Sequence, residues 1–243
     1  MVEGKYLYCI LDLKKKHEFG PIGLFDKNAY TLSHKDISAV ISSIPFKELQ
    51  PDINTITAHQ RVVEESRNLG TTLPIRFGIL FKTEDGIKKM ISKSYNEFET
   101  KIKNLKDKDE YGLKIIMEKS KLAQLHNLSQ ETPEIKRIKK EMKESGKGTT
   151  YFLKMQMDEA IKNEIYKKID VIGGKVHQEL ISLSISNCLL KSDLDQVILN
   201  AAYLIDKKKI DIFRKKIEDV KKMYAKYGLM FHLSGPWAPY SFC

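Results

Sequence analysis

One segment restricts the fold more than any other. Within residues 149–180, Leu153, Met157, Ile161, Ile165, Ile169, Ile172, Val176 and Leu180 follow one another at steps of four or three. That spacing draws one unbroken apolar stripe along an α-helix of unusual length. Acidic and basic side chains balance over the same stretch, so the rest of the helix surface is solvated. A stripe this long needs a broad apolar partner, and the segments after it have the patterning of strands. Gly173 and Gly174 fall inside the helix and predict a kink or the close approach of another backbone.

The flanking segments then define a topology. Residues 111–118 read as a strand, residues 183–190 alternate as a half-buried strand should, and residues 196–205 read as a more buried one. Residues 207–227 predict a helix with the stripe Ile210, Phe213, Ile217, Val220 and Tyr224, stopped by Gly228. Residues 229–234 form a last strand. Strand, helix, strand, strand, helix, strand is the ferredoxin-like βαββαβ order. Residues 119–148 are polar and basic, with a short helix expected near 133–144.

The first half is also mixed. Strands are expected at 5–13, 28–33, 37–44 and 72–81, with 5–13 apolar on both faces and therefore buried. Residues 14–27 read as a loop. A helix is expected over 54–69, capped by Asn54 or Thr55 and ended by Gly70. Another is expected over 84–105, where Ile87, Ile91, Phe98, Ile102 and Leu105 recur at helical spacing. The charged run 106–110 marks the expected boundary. The expected architecture is α+β in two domains: a mixed α+β sheet domain over 1–106, and a ferredoxin-like domain with a docking tail over 107–243.

Charge and composition exclude several classes. The chain has 243 residues, 42% hydrophobic and 30% charged, which is a globular balance. No apolar run approaches the roughly 20 residues of a membrane span, and no signal-peptide pattern opens the chain. Cys9, Cys188 and Cys243 are too few and scattered for a disulfide framework, so a reducing cytoplasm is expected. The formal net charge of +10 is uneven. Residues 1–81 hold 10 basic and 9 acidic side chains, residues 82–147 hold 17 and 12, and residues 207–227 hold 9 and 3. The basic helix from Lys207 to Lys226 suggests an anion- or nucleic-acid-binding module as the alternative function. Base-stacking aromatics are sparse there: the strand 196–205 offers Tyr203 alone, which disfavours nucleic acid.

No residue set has the spacing of a catalytic or cofactor site. His17, His34, His59, His126, His177 and His232 fall into no metal-ligand spacing. Dinucleotide and phosphate-loop signatures are missing, as is a nucleophile elbow. His59, Arg61, Glu64 and Arg76 would begin any enzyme reading. His59 and Glu64 lie five apart and do not face one another on a helix. Arg76 is expected to be buried and paired with Glu64 or Glu65, tying helix to strand. No enzyme, cofactor or metal is expected.

Two stretches stand out. Leu73-Pro74-Ile75-Arg76-Phe77-Gly78 puts a charge into an apolar strand. The end of the chain concentrates Pro236, Trp237, Pro239, Tyr240 and Phe242. A tail this aromatic must dock on its own protein or on a partner, and its prolines reduce the entropy lost on ordering. It is expected to be a partner-binding surface or a latch between the two domains.

Together with Tyr6-Leu7-Tyr8-Cys9-Ile10 and His59-Gln60-Arg61-Val62-Val63-Glu64, these stretches resemble the gas vesicle accessory family GvpL/GvpF. The likeness spans almost the whole chain, and the tail 233–242 is its most specific part. Ala238 stands where the family often has another proline. The resemblance implies a two-domain α+β protein whose C-terminal half is ferredoxin-like. It implies a non-enzymatic minor component or assembly factor of cytoplasmic gas vesicles. The implied partners are the main hydrophobic shell protein and other accessory proteins. It supplies no catalytic residues. His59, Glu64, Arg76, Phe77 and Gly78 would then be a structural core motif.

Overall fold

The structure is a computed structural model that describes residues 2–117, 132–192, 194 and 196–243. The expected strand at residue 118, the polar stretch 119–131 with His126, and parts of the turn near 191–195 lie outside the described residues. The protein is α+β with antiparallel pairing in its first sheet. It divides into two compact units, one of residues 1–111, 204–207 and 235–243, the other of residues 112–203 and 208–234.

In the first unit, β1 (Glu3–Leu11) is the central strand. The sheet order is β2 (Glu18–Gly20), β3 (Ala29–His34), β4 (Ile37–Pro45), β1, β5 (Thr72–Pro74), with β6 (Leu80–Phe81) also on β1. Both faces of β1 are buried, as its continuous apolar run requires. Tyr6, Tyr8, Cys9 and Leu11 meet Val62 and Val63 of α1 (Ile53–Arg67). Leu7 and Ile10 meet Ile87 and Ile91 of α2 (Glu84–Lys93) and Ile102 and Leu105 of α3 (Tyr95–Leu105). A register shift against β4 between Leu7 and Cys9 puts Tyr8 and Cys9 on the same side. A bulge does this by inserting one residue into the ladder.

Four local expectations are corrected here. The helix α1 is capped by Asp52, not Asn54 or Thr55; its carboxylate accepts from the N–H groups of both, and Thr55 Oγ1 accepts from Asp52 N–H. A carboxylate at that position also complements the helix dipole. The expected strand 72–81 is interrupted one step past Pro74: Ile75 N–H still donates to the Tyr8 carbonyl and Leu7 N–H to the Ile79 carbonyl, so residues 76–78 bulge out of the ladder and Gly78 (φ +93°) turns the chain before β6. The expected helix 84–105 is two helices broken at Ser94, which ends α2 and precedes α3. The loop 14–27 contains the short strand β2.

The second unit holds most of a four-stranded sheet in the order β10 (Leu229–Trp237), β7 (Lys108–Met117), β9 (Val197–Asp206), β8 (Ser186–Leu189). β7 begins inside the charged run that the sequence marked as a boundary. Between β7 and β8 come α4 (Pro133–Glu144) and the long α5 (Lys147–Ile181). The stripe on α5 is buried over most of its length: Leu153 and Met157 meet Ile135 and Ile138 of α4, and Ile165, Ile169, Ile172, Val176 and Leu180 continue it. Gly173 permits close approach, since a Cβ there would lie 2.7 Å from Ile198 Cγ2 and 2.9 Å from its carbonyl oxygen. The basic helix α6 (Ile210–Met223) buries Phe213, Ile217 and Val220. No helix among the described residues is long and apolar enough to cross a membrane.

Candidate partner-binding site at the C-terminal segment

The last nine residues belong to the first unit, and carboxylates fix their backbone there. Glu64, near the end of α1, accepts from the Ala238 N–H at 3.0 Å. Glu110, in β7, accepts from Ser241 twice, from the N–H at 2.8 Å and the hydroxyl at 2.7 Å. Arg67, one turn beyond Glu64, ion-pairs with Glu64 and with Asp109 (2.5 Å), and its guanidinium donates to the Pro236 carbonyl at 3.3 Å. Burial opposes the charge on Arg67, but Glu64 and Asp109 more than offset it and raise its pKa. Asp109 and Glu110 are both buried, so each needs such partners.

Apolar packing completes the anchorage. Ala238 is fully buried against the Tyr6, Tyr8 and Val62 cluster, Pro239 is buried, and Phe242 packs against the Leu7, Ile10 and Ile102 cluster. Pro236 and Trp237 are not part of it. Trp237 is 46% exposed and Tyr240 is 37% exposed. The tail is thus held by its backbone and its smaller side chains, while its largest ring faces outward.

The core motif separates into three roles. His59, Phe77 and Gly78 converge on Tyr6. The Tyr6 hydroxyl accepts from the Gly78 N–H (3.1 Å) and bonds His59 Nδ1 at 2.8 Å. His59 is 3% exposed, its Nε2 has no hydrogen-bond partner among the described residues, and burial lowers its pKa to about 4. Rings of Tyr8, Phe77 and Tyr240 surround it at centroid distances of 5.6, 5.9 and 6.3 Å. This is a neutral core histidine. Glu64 belongs to the tail anchorage instead. Arg76 is exposed and makes no ion pair among the described residues, so the expected pairing with Glu64 or Glu65 is corrected: Arg67 takes Glu64.

Arg67, Asp109 and Glu110 were missed from the sequence. The signal was two carboxylates at the head of an apolar strand, misread as linker charge. Among the described residues, no group of three or more His, Cys, Asp or Glu is placed to hold a metal.

Comparison with known proteins places the whole chain in one family. Residues 4–243 match the family described as gas vesicle synthesis protein GvpL/GvpF. The gas vesicle protein F of Streptomyces sp. (strain CB03234) is 24% identical over 85% of this chain and 84% of its own length. The gas vesicle protein F1 of Halobacterium salinarum is 25% identical over all of this chain and 93% of its own. The crystal structure of GvpF from Anabaena sp. PCC7120 superposes with a TM-score of 0.81 at 20% identity, covering 99% of this chain and 98% of the other.

Proposed function

We infer a role in gas vesicle assembly from one premise: the chain belongs to the gas vesicle synthesis protein GvpL/GvpF family. The reading is of a non-enzymatic assembly component, acting in the cytoplasm on the main shell protein. A gas-filled shell must repel water from its inner face, so its subunit carries apolar surface that aggregates before assembly. A soluble protein that covers this surface, and releases it at a growing shell, limits aggregation and assists nucleation.

The observation that carries the reading is the exposed Trp237 on an anchored backbone. A large ring on a mobile tail would lose entropy on binding. Here Glu64 and Glu110 hold the chain on the C-terminal side of the ring, so that cost falls mostly on folding. Trp with neighbouring Pro236 and Tyr240 has the composition of an interface hot spot. The same anchorage supports a latch role within the first unit for Ala238, Pro239 and Phe242. Beyond residue 107, the element order and the sheet order β10-β7-β9-β8 support a ferredoxin-like reading.

The test is light scattering after denatured shell protein is diluted into buffer. The full chain should suppress scattering at near-equal molar ratio, and Trp237→Ala should suppress it much less. Equal scattering with and without the full chain would remove the proposal.

A further inference from the structure

The exposed Arg76 borders a cavity. In the first unit a cleft of about 380 Å³ opens where the outer strand is interrupted between β5 and β6. Its walls include Leu7, Leu73, Ile79 and Phe81 from the sheet side and Met90 and Phe98 from α2 and α3. Two cations, Arg76 and Lys101, line it as well. Lys101 pairs with Glu97 at 2.9 Å, with both side chains more than a third exposed. Such a pair contributes little and exchanges readily. Arg76 has no side-chain partner among the described residues.

The backbone beside the cleft is also unoccupied. Ile75 N–H donates to the Tyr8 carbonyl, Leu7 N–H donates to the Ile79 carbonyl, and Gly78 N–H donates to Tyr6. Arg76 and Phe77, between them, make no backbone hydrogen bond among the described residues. Apolar walls, a free guanidinium and unpaired peptide groups occur together here. The volume falls within the ~300–1,000 Å³ of clefts that hold ligands.

We propose that this cleft is a docking pocket for a segment of a partner protein that presents a bulky apolar side chain beside a carboxylate. The apolar walls desolvate the anchoring side chain. The guanidinium takes the carboxylate through paired N–H donors, a geometry that lysine does not offer. The free peptide groups of Arg76 and Phe77 favour an extended polypeptide over a lipid or small acid, which has no main chain to pair with them. Arg76 and Lys101 at its lining make the cleft locally positive and complementary to an acidic segment. Tyr240 and Cys243 of the tail also line the pocket, but it requires neither Trp237 nor the shell protein, so it goes beyond the function proposed above.

The experiment pans the full chain against phage-displayed random dodecapeptides and titrates recovered peptides by fluorescence anisotropy at about 0.15 M salt. The expected peptides carry a large apolar residue within one or two positions of Asp or Glu. Arg76→Glu should weaken them at least about tenfold, Arg76→Lys less, and Met90→Trp, which fills the cleft, should also weaken them. Arg76 is exposed, so its variants should melt with the parent, which circular dichroism checks. Recovered peptides without an acidic residue, or with equal affinity for Arg76→Glu, would overturn the pocket. So would failure to enrich any peptide over a parallel selection on Arg76→Glu. Because the assay contains no shell protein, its failure and that of the Trp237 reading are told apart.

Discussion

Replacing Glu110 by alanine removes the double hold on Ser241 and tests whether carboxylates fix the tail. Two hydrogen bonds are lost, at 2.8 Å to the N–H and 2.7 Å to the hydroxyl. A hydrogen bond to a charged acceptor contributes about 1.5–3 kcal/mol. Ser241 is exposed, so water recovers part of the loss, and about 1–3 kcal/mol of local stability should disappear. At about 1.4 kcal/mol per decade, the open tail becomes roughly 5- to 150-fold more populated. Native-state amide exchange at Ser241 reads this population directly. The Ser241 amide should exchange faster by that factor, while amides of the central strand, such as Ile10, slow to exchange because they open only globally, change less. An unchanged rate at Ser241 would refute the claim that Glu110 anchors the segment.

Other consequences follow from the same network and core. Arg67→Met leaves Asp109 buried without its guanidinium, and should cost about 2–4 kcal/mol in urea unfolding. His59 has a folded pKa of about 4 against the ordinary 6.5, so the unfolded chain binds the extra proton between those values. Its contribution is therefore complete above pH 6.5 and is lost progressively as pH falls toward about 4. The loss at pH 5 is about 2 kcal/mol, and His59→Phe should flatten that slope in denaturation series at pH 5 and 7. Gly173→Ala forces a Cβ onto Ile198 and should lower stability by about 1–3 kcal/mol, seen as a reduced melting temperature.

What could be read beforehand was what repeats along the chain. The stripe from Leu153 to Leu180 and the two-faced burial of β1 follow from periodicity, because burial of each residue there depends on neighbours a few positions away. The interruption at 75–79 and the break at Ser94 were not read, since each depends on how one short segment meets the rest of the first unit. Candidate-site residues divided the same way. Trp237 and its prolines were visible through composition. Arg67, Asp109 and Glu110 were not: their meaning arises from pairing across 42 positions for Arg67–Asp109 and 131 for Glu110–Ser241. Arg76 was misassigned because a charge within an apolar run was assumed to be buried, and the run proved to be broken there.

The most direct test of the central claim is capture of the shell protein by the tagged full chain, compared between parent and Trp237→Ala. Truncation at Gly235 would remove Ala238 and Phe242 from the core, whereas the single substitution spares them. Being 46% exposed, Trp237 should leave the melting temperature almost unchanged when replaced. The account predicts strong capture by the parent and a large loss with Trp237→Ala at equal stability. Equal capture by both proteins would contradict it.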